Sequence, residues 1–291
     1  MLGKFIANMV TVPGDSPVFE TPEKYGLKYE TVTFKAEDGV ELSGWIINPG
    51  MDKIILQQHF ASQCSRTGYT PKGKSGVKLW DTDITFLRQA KHFTDHGYSV
   101  LMYDFRNHGK SGKANLPYVT GGVEEAKDVI AAVKYISKHQ DYKDASIGLF
   151  SICMGTNATS LAFGIKGGLE NYKNIKAYVS VQPLNYGDFL QGMGMPRFLV
   201  NRANNVNLGR GGKDFYRVPY DNLKKVHIPV MVFQNSNDPW TNMNSVKKYY
   251  DTIPTEKVMV WADLEKKRAA AYDYVGAKPE EFVEFFNKYM K

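Results

Sequence analysis

Cysteine is scarce in this chain: only Cys64 and Cys153 occur in 291 residues. Two thiols cannot build a disulfide framework, so a reducing compartment is expected and a hydrophobic core must hold the fold. Long hydrophobic runs are missing too. No stretch reaches the roughly 20 apolar residues of a membrane-spanning helix. The opening residues Met1 to Val10 lack the apolar core and cleavage site of a secretory signal. The expectation is a cytoplasmic protein with no membrane partner. There is no internal repeat, no low-complexity tract and no dense Lys/Arg block with interleaved aromatics. The net charge of +7 comes from 37 Lys and Arg scattered among 30 Asp and Glu. That distribution fits a solvated surface and predicts no nucleic-acid partner. No metal and no cofactor is expected.

What is present is the composition of a globular protein, 43% hydrophobic and 23% charged. The length suits one large α/β domain over residues 1–291. Residues 1–28 read as a leader. Residues 29–34 and 40–47 alternate about the turn Glu37-Asp38-Gly39 and predict an antiparallel hairpin. Continuous apolar strands are expected at 53–59, 98–103, 175–181, 229–234 and 257–261, as in a parallel sheet covered on both faces. Helical spacing is expected over 79–96, 122–139, a segment ending near 249, and 279–290. A polar loop through Cys64, Arg66 and Tyr69 should join 59 to about 78. Residues 182–227, rich in Gly, Asn, Arg and Met without strong period, are expected to form a small cap or lid insert. Strands alternating with helices imply a three-layer, mostly parallel sheet.

The stretch Phe150-Ser151-Ile152-Cys153-Met154-Gly155-Thr156 carries the chemistry. An apolar strand stops abruptly and small, helix-compatible residues follow. This is the form of a nucleophile elbow, usually G-x-S-x-G, with Ser151 in place of the first glycine and Cys153 at the tip. A side chain there meets a helix N-terminus, whose partial positive charge favours an anion. In such sheets chemistry gathers at the carboxyl ends of the strands. His59, Asp104, Cys153 and Asp238 all fall at or just past expected strand ends.

On these motifs the sequence resembles the α/β-hydrolase superfamily over nearly its whole length. Asp104-Phe105-Arg106-Asn107-His108-Gly109-Lys110-Ser111 is similar to the D-x-R-G-x-G-x-S turn of that superfamily. His59-Phe60-Ala61 is similar to the H-G-x loop that supplies half of its oxyanion hole. Asp238 stands at the triad-acid position, after the nucleophile as the superfamily order requires. Among members with cysteine at the elbow, dienelactone hydrolases are the nearest analogy. The resemblance implies Cys153 as nucleophile and Asp238 as acid. It implies the backbone N–H of Met154, with Phe60 or Ala61, as oxyanion donors. Asp104 and Arg106 would pair beneath the elbow.

One part of that pattern is missing. The triad histidine should follow the last strand, but Ala262-Asp263-Leu264-Glu265-Lys266-Lys267-Arg268 contains none. A thiol tolerates this loss better than a hydroxyl, because part of it is already ionised near neutral pH. Lys266, Lys267, His59 and His108 are the candidates for a substitute base or for lining the pocket. The expected function is hydrolysis of a small ester, lactone or thioester through an acyl-cysteine. The alternatives are a catalytically impaired descendant that binds a small ligand, and an acyltransferase. The expected partner is a small acyl substrate, and oligomeric state is left open.

Overall fold

Eight strands form one twisted sheet in the order β1-β2-β7-β3-β8-β9-β10-β11. In this computed structural model, which describes residues 1–73 and 78–291, they are β1 (Tyr29–Lys35), β2 (Glu41–Ile47), β3 (Lys53–Gln58), β7 (Ser99–Tyr103), β8 (Ser146–Ile152), β9 (Ile175–Val181), β10 (Val230–Asn235) and β11 (Lys257–Ala262). Three short strands, β4 (Cys64–Ser65), β5 (Gly68–Tyr69) and β6 (Ile84–Thr85), make a separate small antiparallel sheet. β1 and β2 are an antiparallel hairpin, and β2 runs antiparallel to β7. From β7 to β11 every pairing is parallel. The mostly parallel sheet with its antiparallel start is the architecture expected from the strand pattern.

Ten helices accompany the sheet among the described residues: α1 (Leu2–Thr11), α2 (Leu87–Asp95), α3 (Glu125–Lys138), α4 (Met154–Phe163), α5 (Tyr186–Gly192), α6 (Arg197–Gly209), α7 (Tyr220–Leu223), α8 (Met243–Thr252), α9 (Ala269–Ala277) and α10 (Glu280–Tyr289). Two large apolar clusters lie on opposite faces of the sheet. One packs Val129, Val133 and Leu161 of α3 and α4 against Leu56, Leu101 and Leu149. The other packs Phe93, Tyr272, Phe282 and Phe286 of α2, α9 and α10 against Ile55, Val100 and Phe150. The central strands read as unbroken apolar runs because both faces are covered. β8 also needs Gly148: a Cβ there would sit 2.7 Å from Met290 Sδ and 2.8 Å from the Phe286 ring, where α10 presses on the strand.

Four expectations are corrected. Residues 1–28 are not a plain leader, since α1 is a helix packed on α6 through a third cluster of Ile6, Ala7, Val10, Val200, Ala203 and Phe215. The helix expected over 79–96 is confined to Leu87–Asp95, because β6 and the turn around Trp80 take the preceding residues. The polar loop after His59 is buried at every residue from 59 to 70. Its polar groups are satisfied internally: Arg66 donates to Asp104 Oδ2 from Nε at 3.1 Å and from Nη2 at 2.8 Å, and to Ser43 Oγ at 2.7 Å. Residues 74–77 of that expected loop lie outside the described residues. Finally, Asp104 does not pair with Arg106. Arg106 instead bridges Asp128 at 2.7 Å and Asp38 at 2.7 Å. Residues 182–227, read from the sequence as patternless, contain α5, α6 and α7.

Candidate active site

Backbone strain collects at the carboxyl edge of the sheet. Of six non-glycine residues with positive φ among the described residues, five follow central strands there: Ser62, Gln63, Asn107, Cys153 and Gln182. Such residues cost free energy and persist where the surroundings fix them. Cys153 has φ +53° and ψ −107°, and it caps the N-terminus of α4. Its N–H donates to Val181 O at 2.9 Å. The bend is closed from below by Gly155, where a Cβ would lie 2.9 Å from both Gln58 Cβ and Gln58 O. The small residue two before the tip has a second use, since Ser151 donates to Gln58 Oε1 at 2.7 Å and bonds Thr159 Oγ1 at 2.8 Å.

The half-buried Cys153 opens onto a cavity of about 40 Å³. That is room for roughly two or three waters. Phe60, Ala61, Trp80, Met154, Tyr186, Phe189 and Tyr272 form most of its wall, with Met9 and Val10 of α1 on one side. Its charged lining residue is Arg268. The aromatic wall is continuous: Phe60 stacks on Tyr272 at 5.2 Å and meets Trp80 edge-on at 5.7 Å.

Arg268 is 2% exposed and the most consequential residue that sequence reasoning missed. Its Nη1 donates to Asp238 Oδ2 at 2.5 Å and to Thr241 Oγ1 at 2.7 Å, and its Nη2 donates to Gln182 O at 2.8 Å. Gln182 Nε2 in turn donates to Arg268 O at 2.8 Å, so residue 268 is held by backbone and side chain together. Burial opposes its charge, yet Tyr272, Cys153 and Asp238 around the guanidinium push its pKa above the ordinary arginine value. Asp238 is buried beside it and also accepts from Trp240 N–H at 3.0 Å and Thr241 Oγ1–H at 2.6 Å. The loop leading to Arg268 is pinned by Asn235, whose Nδ2 donates to Glu265 O at 2.9 Å and Lys267 O at 3.1 Å.

The other candidate bases are not brought to the cavity. Lys266 and Lys267 are exposed, and Lys267 pairs with Glu265 at 2.7 Å, which raises its pKa. The step from 267 to 268 carries the chain from solvent into the site. His59 is buried with both ring nitrogens engaged, Nδ1 with Phe60 O at 2.6 Å and Nε2 accepting from Phe105 N–H at 3.0 Å. Burial, then His108, pushes its pKa down to about 3. His108 is buried as well, with Nδ1 on Arg106 O at 2.8 Å, and burial lowers its pKa. Neither histidine lines the cavity. Among the described residues the N–H groups of Ala61 and Met154, both on the cavity wall, make no hydrogen bond. The Cys64 thiol has its pKa raised by burial. Cys64 is fully buried and does not line the cavity. No group of three or more His, Cys, Asp or Glu able to hold a metal occurs among the described residues.

No family model matches the sequence, and no curated protein matches it. Solved structures do match. An esterase of Pyrococcus furiosus aligns over 97% of this chain and 99% of its own, with a TM-score of 0.68 at 23% identity. A dienelactone hydrolase of Anabaena variabilis aligns over 91% of this chain and 99% of its own, with a TM-score of 0.58 at 15% identity. The chain has the α/β-hydrolase fold. An esterase domain from a Rhodothermus marinus protein agrees, over 91% of this chain and 100% of its own, with a TM-score of 0.57 at 17% identity. At such identities the likeness is one of fold. Cys153 and Arg268 share the cavity wall, and Arg268 donates to Asp238 behind it.

Proposed function

We propose that the protein is an ester-bond hydrolase in the broad sense, working through an acyl-cysteine at Cys153 and taking small acyl groups from thioesters or aryl and enol esters. The observation that carries this reading is the juxtaposition, on one small apolar cavity, of Cys153 on its strained bend and the buried Arg268–Asp238 pair. A guanidinium does not deprotonate in proteins, so Arg268 cannot take a proton from a nucleophile. Its fixed positive charge on the cavity wall can instead stabilise negative charge that develops on the reacting atoms. The Cys153 thiolate adds to the carbonyl carbon, and the Ala61 and Met154 N–H groups stabilise the oxyanion. The tetrahedral intermediate then expels either the leaving group or the cysteine sulfur. With no histidine to protonate it, an alkoxide leaves poorly. A thiolate, phenolate or enolate leaves without a proton. The cavity volume further restricts the acyl group to a few carbons as the site stands.

Incubation of the protein with a small acetyl thioester, p-nitrophenyl acetate and ethyl acetate, followed by intact-mass spectrometry, tests this. An acetyl adduct should form at Cys153 with the first two and not with the third. Absence of any adduct, together with absence of Cys153-dependent turnover, sinks the proposal.

A second reading, acyl transfer, is favoured by the same Arg268. Water attacking the acyl-cysteine needs a base that the cavity wall does not supply, whereas an amine or thiol acceptor is a better nucleophile than water. Partition of the acyl group between water and an added thiol decides between the two.

A further inference from the structure

We propose that the face formed by α1 and α6 docks on an anionic lipid surface. Exposed apolar side chains are concentrated there. Eight large hydrophobic side chains are exposed among the described residues, and six of them, Met1, Leu2, Phe5, Val12, Phe198 and Leu208, lie on α1, α6 or the residues next to α1. Single exposed apolar residues need no explanation, but a cluster marks an interaction surface. Phe5 is 57% exposed and Phe198 is 70% exposed. The two helices adjoin at Gly3, where a Cβ would lie 3.1 Å from Arg202 Cγ.

Charge selects the partner. Residues 1–14 and 189–213 contain no Asp or Glu. Lys4, Arg197 and Arg202 on this face are exposed and enter no ion pair among the described residues. α1 and α6 themselves carry cations and no carboxylate, with exposed Asp15 and Asp214 just beyond them and Asp214 accepting from Asn204 Nδ2 at 2.8 Å. Amphipathic helices that mix bulky apolar side chains with an excess of cations match the interface of an anionic bilayer, with rings among the acyl chains and cations at the headgroups. No helix among the described residues is long and apolar enough to cross a membrane, so the contact is peripheral. The inner side of α1 serves the cavity, since Met9 and Val10 wall the space beside Cys153. Arg210 fastens α1 from within through Asn8 Oδ1 at 2.5 Å and Thr11 Oγ1, so the docking face is presented as a firm helix. Lipid docking departs from the sequence expectation of no membrane partner, and it stands independently of the chemistry at Cys153.

Sedimentation of the full chain with vesicles of phosphatidylcholine, alone and mixed with phosphatidylglycerol, is the test. The protein should pellet with the mixed vesicles, and added salt should release it. Phe5→Ser with Phe198→Ser should weaken partitioning roughly tenfold or more. Both residues are exposed, so an unchanged melting temperature would show that the variant is folded. Lys4→Gln with Arg202→Gln, which keeps every apolar side chain, should weaken binding to the mixed vesicles roughly tenfold. Failure to pellet with the mixed vesicles overturns the proposal, as does a double-phenylalanine variant that pellets as well as wild type. Equal binding to pure phosphatidylcholine overturns the anionic part. A lipid-free dimer that the phenylalanine changes split, without vesicle binding, assigns the face to a second copy instead.

Discussion

Arginine at position 268 can orient and charge the site but cannot shuttle a proton, and that difference is measurable at one residue. Arg268→His puts an imidazole, which can take up a proton, where the proposed mechanism lacks a base, and keeps a partner for Asp238. Decay of the acyl-cysteine should quicken about a hundredfold, the usual worth of a positioned base, and the adduct should vanish from intact-mass spectra taken at steady state. Arg268→Gln removes the cation and leaves the Asp238 carboxylate buried without its ion pair. Stability should fall by about 3–5 kcal/mol, the typical cost of orphaning a buried charge. Little in the sequence marks this residue. Lys266-Lys267-Arg268 looks like an ordinary surface run, and only the burial of the third member separates it from the other two. The signal available was position: 268 follows the last strand where a histidine belongs, and Ala269-Ala270-Ala271 begins a helix with small residues that let the arginine lie under it.

The elbow is a property of β8 and α4 together, and its geometry was legible because the small-residue requirement is local. Gly155→Ala places a methyl 2.9 Å from Gln58 Cβ and from the Gln58 carbonyl oxygen, with His59 O at 3.1 Å. The backbone of β3 cannot yield there, so the change should cost about 1–3 kcal/mol in urea unfolding and should displace Cys153 enough to abolish acylation. The parallel strands were equally legible, since burial on both faces writes itself as unbroken apolar sequence. The elements that escaped are those whose partners lie far away in the chain. α1 looks like a leader until α6 supplies its apolar seam. The segment from 59 to 70 reads only as a polar loop because the partners that bury it, Ser43 and Asp104 for Arg66, lie on β2 and just past β7. Asp104 and Arg106 are neighbours in sequence, yet each finds its partner on a different element.

At the scale of the whole molecule, the fold carries two buried imidazoles under its carboxyl edge, their ring centroids 5.2 Å apart. His59 is kept neutral by its position between Phe60 O and the Phe105 N–H, and its pKa falls to about 3. An unfolded chain binds a proton at that residue near pH 6.5. Below that pH the unfolded state therefore gains a proton that the folded state refuses until about pH 3. The stability tied to neutral His59 is complete above pH 6.5 and is lost as the pH falls toward 3, at about 1.4 kcal/mol per pH unit. The loss from His59 alone should reach about 2 kcal/mol between pH 6.5 and 5. His108, lowered in the same direction, adds to it. Urea unfolding of wild type and His59→Gln at pH 7 and pH 5 measures the term. Glutamine offers both a donor and an acceptor to the same two backbone groups but does not titrate, so the variant should lose less stability on acidification than wild type. Equal losses in the two proteins would show that the acid sensitivity does not come from His59.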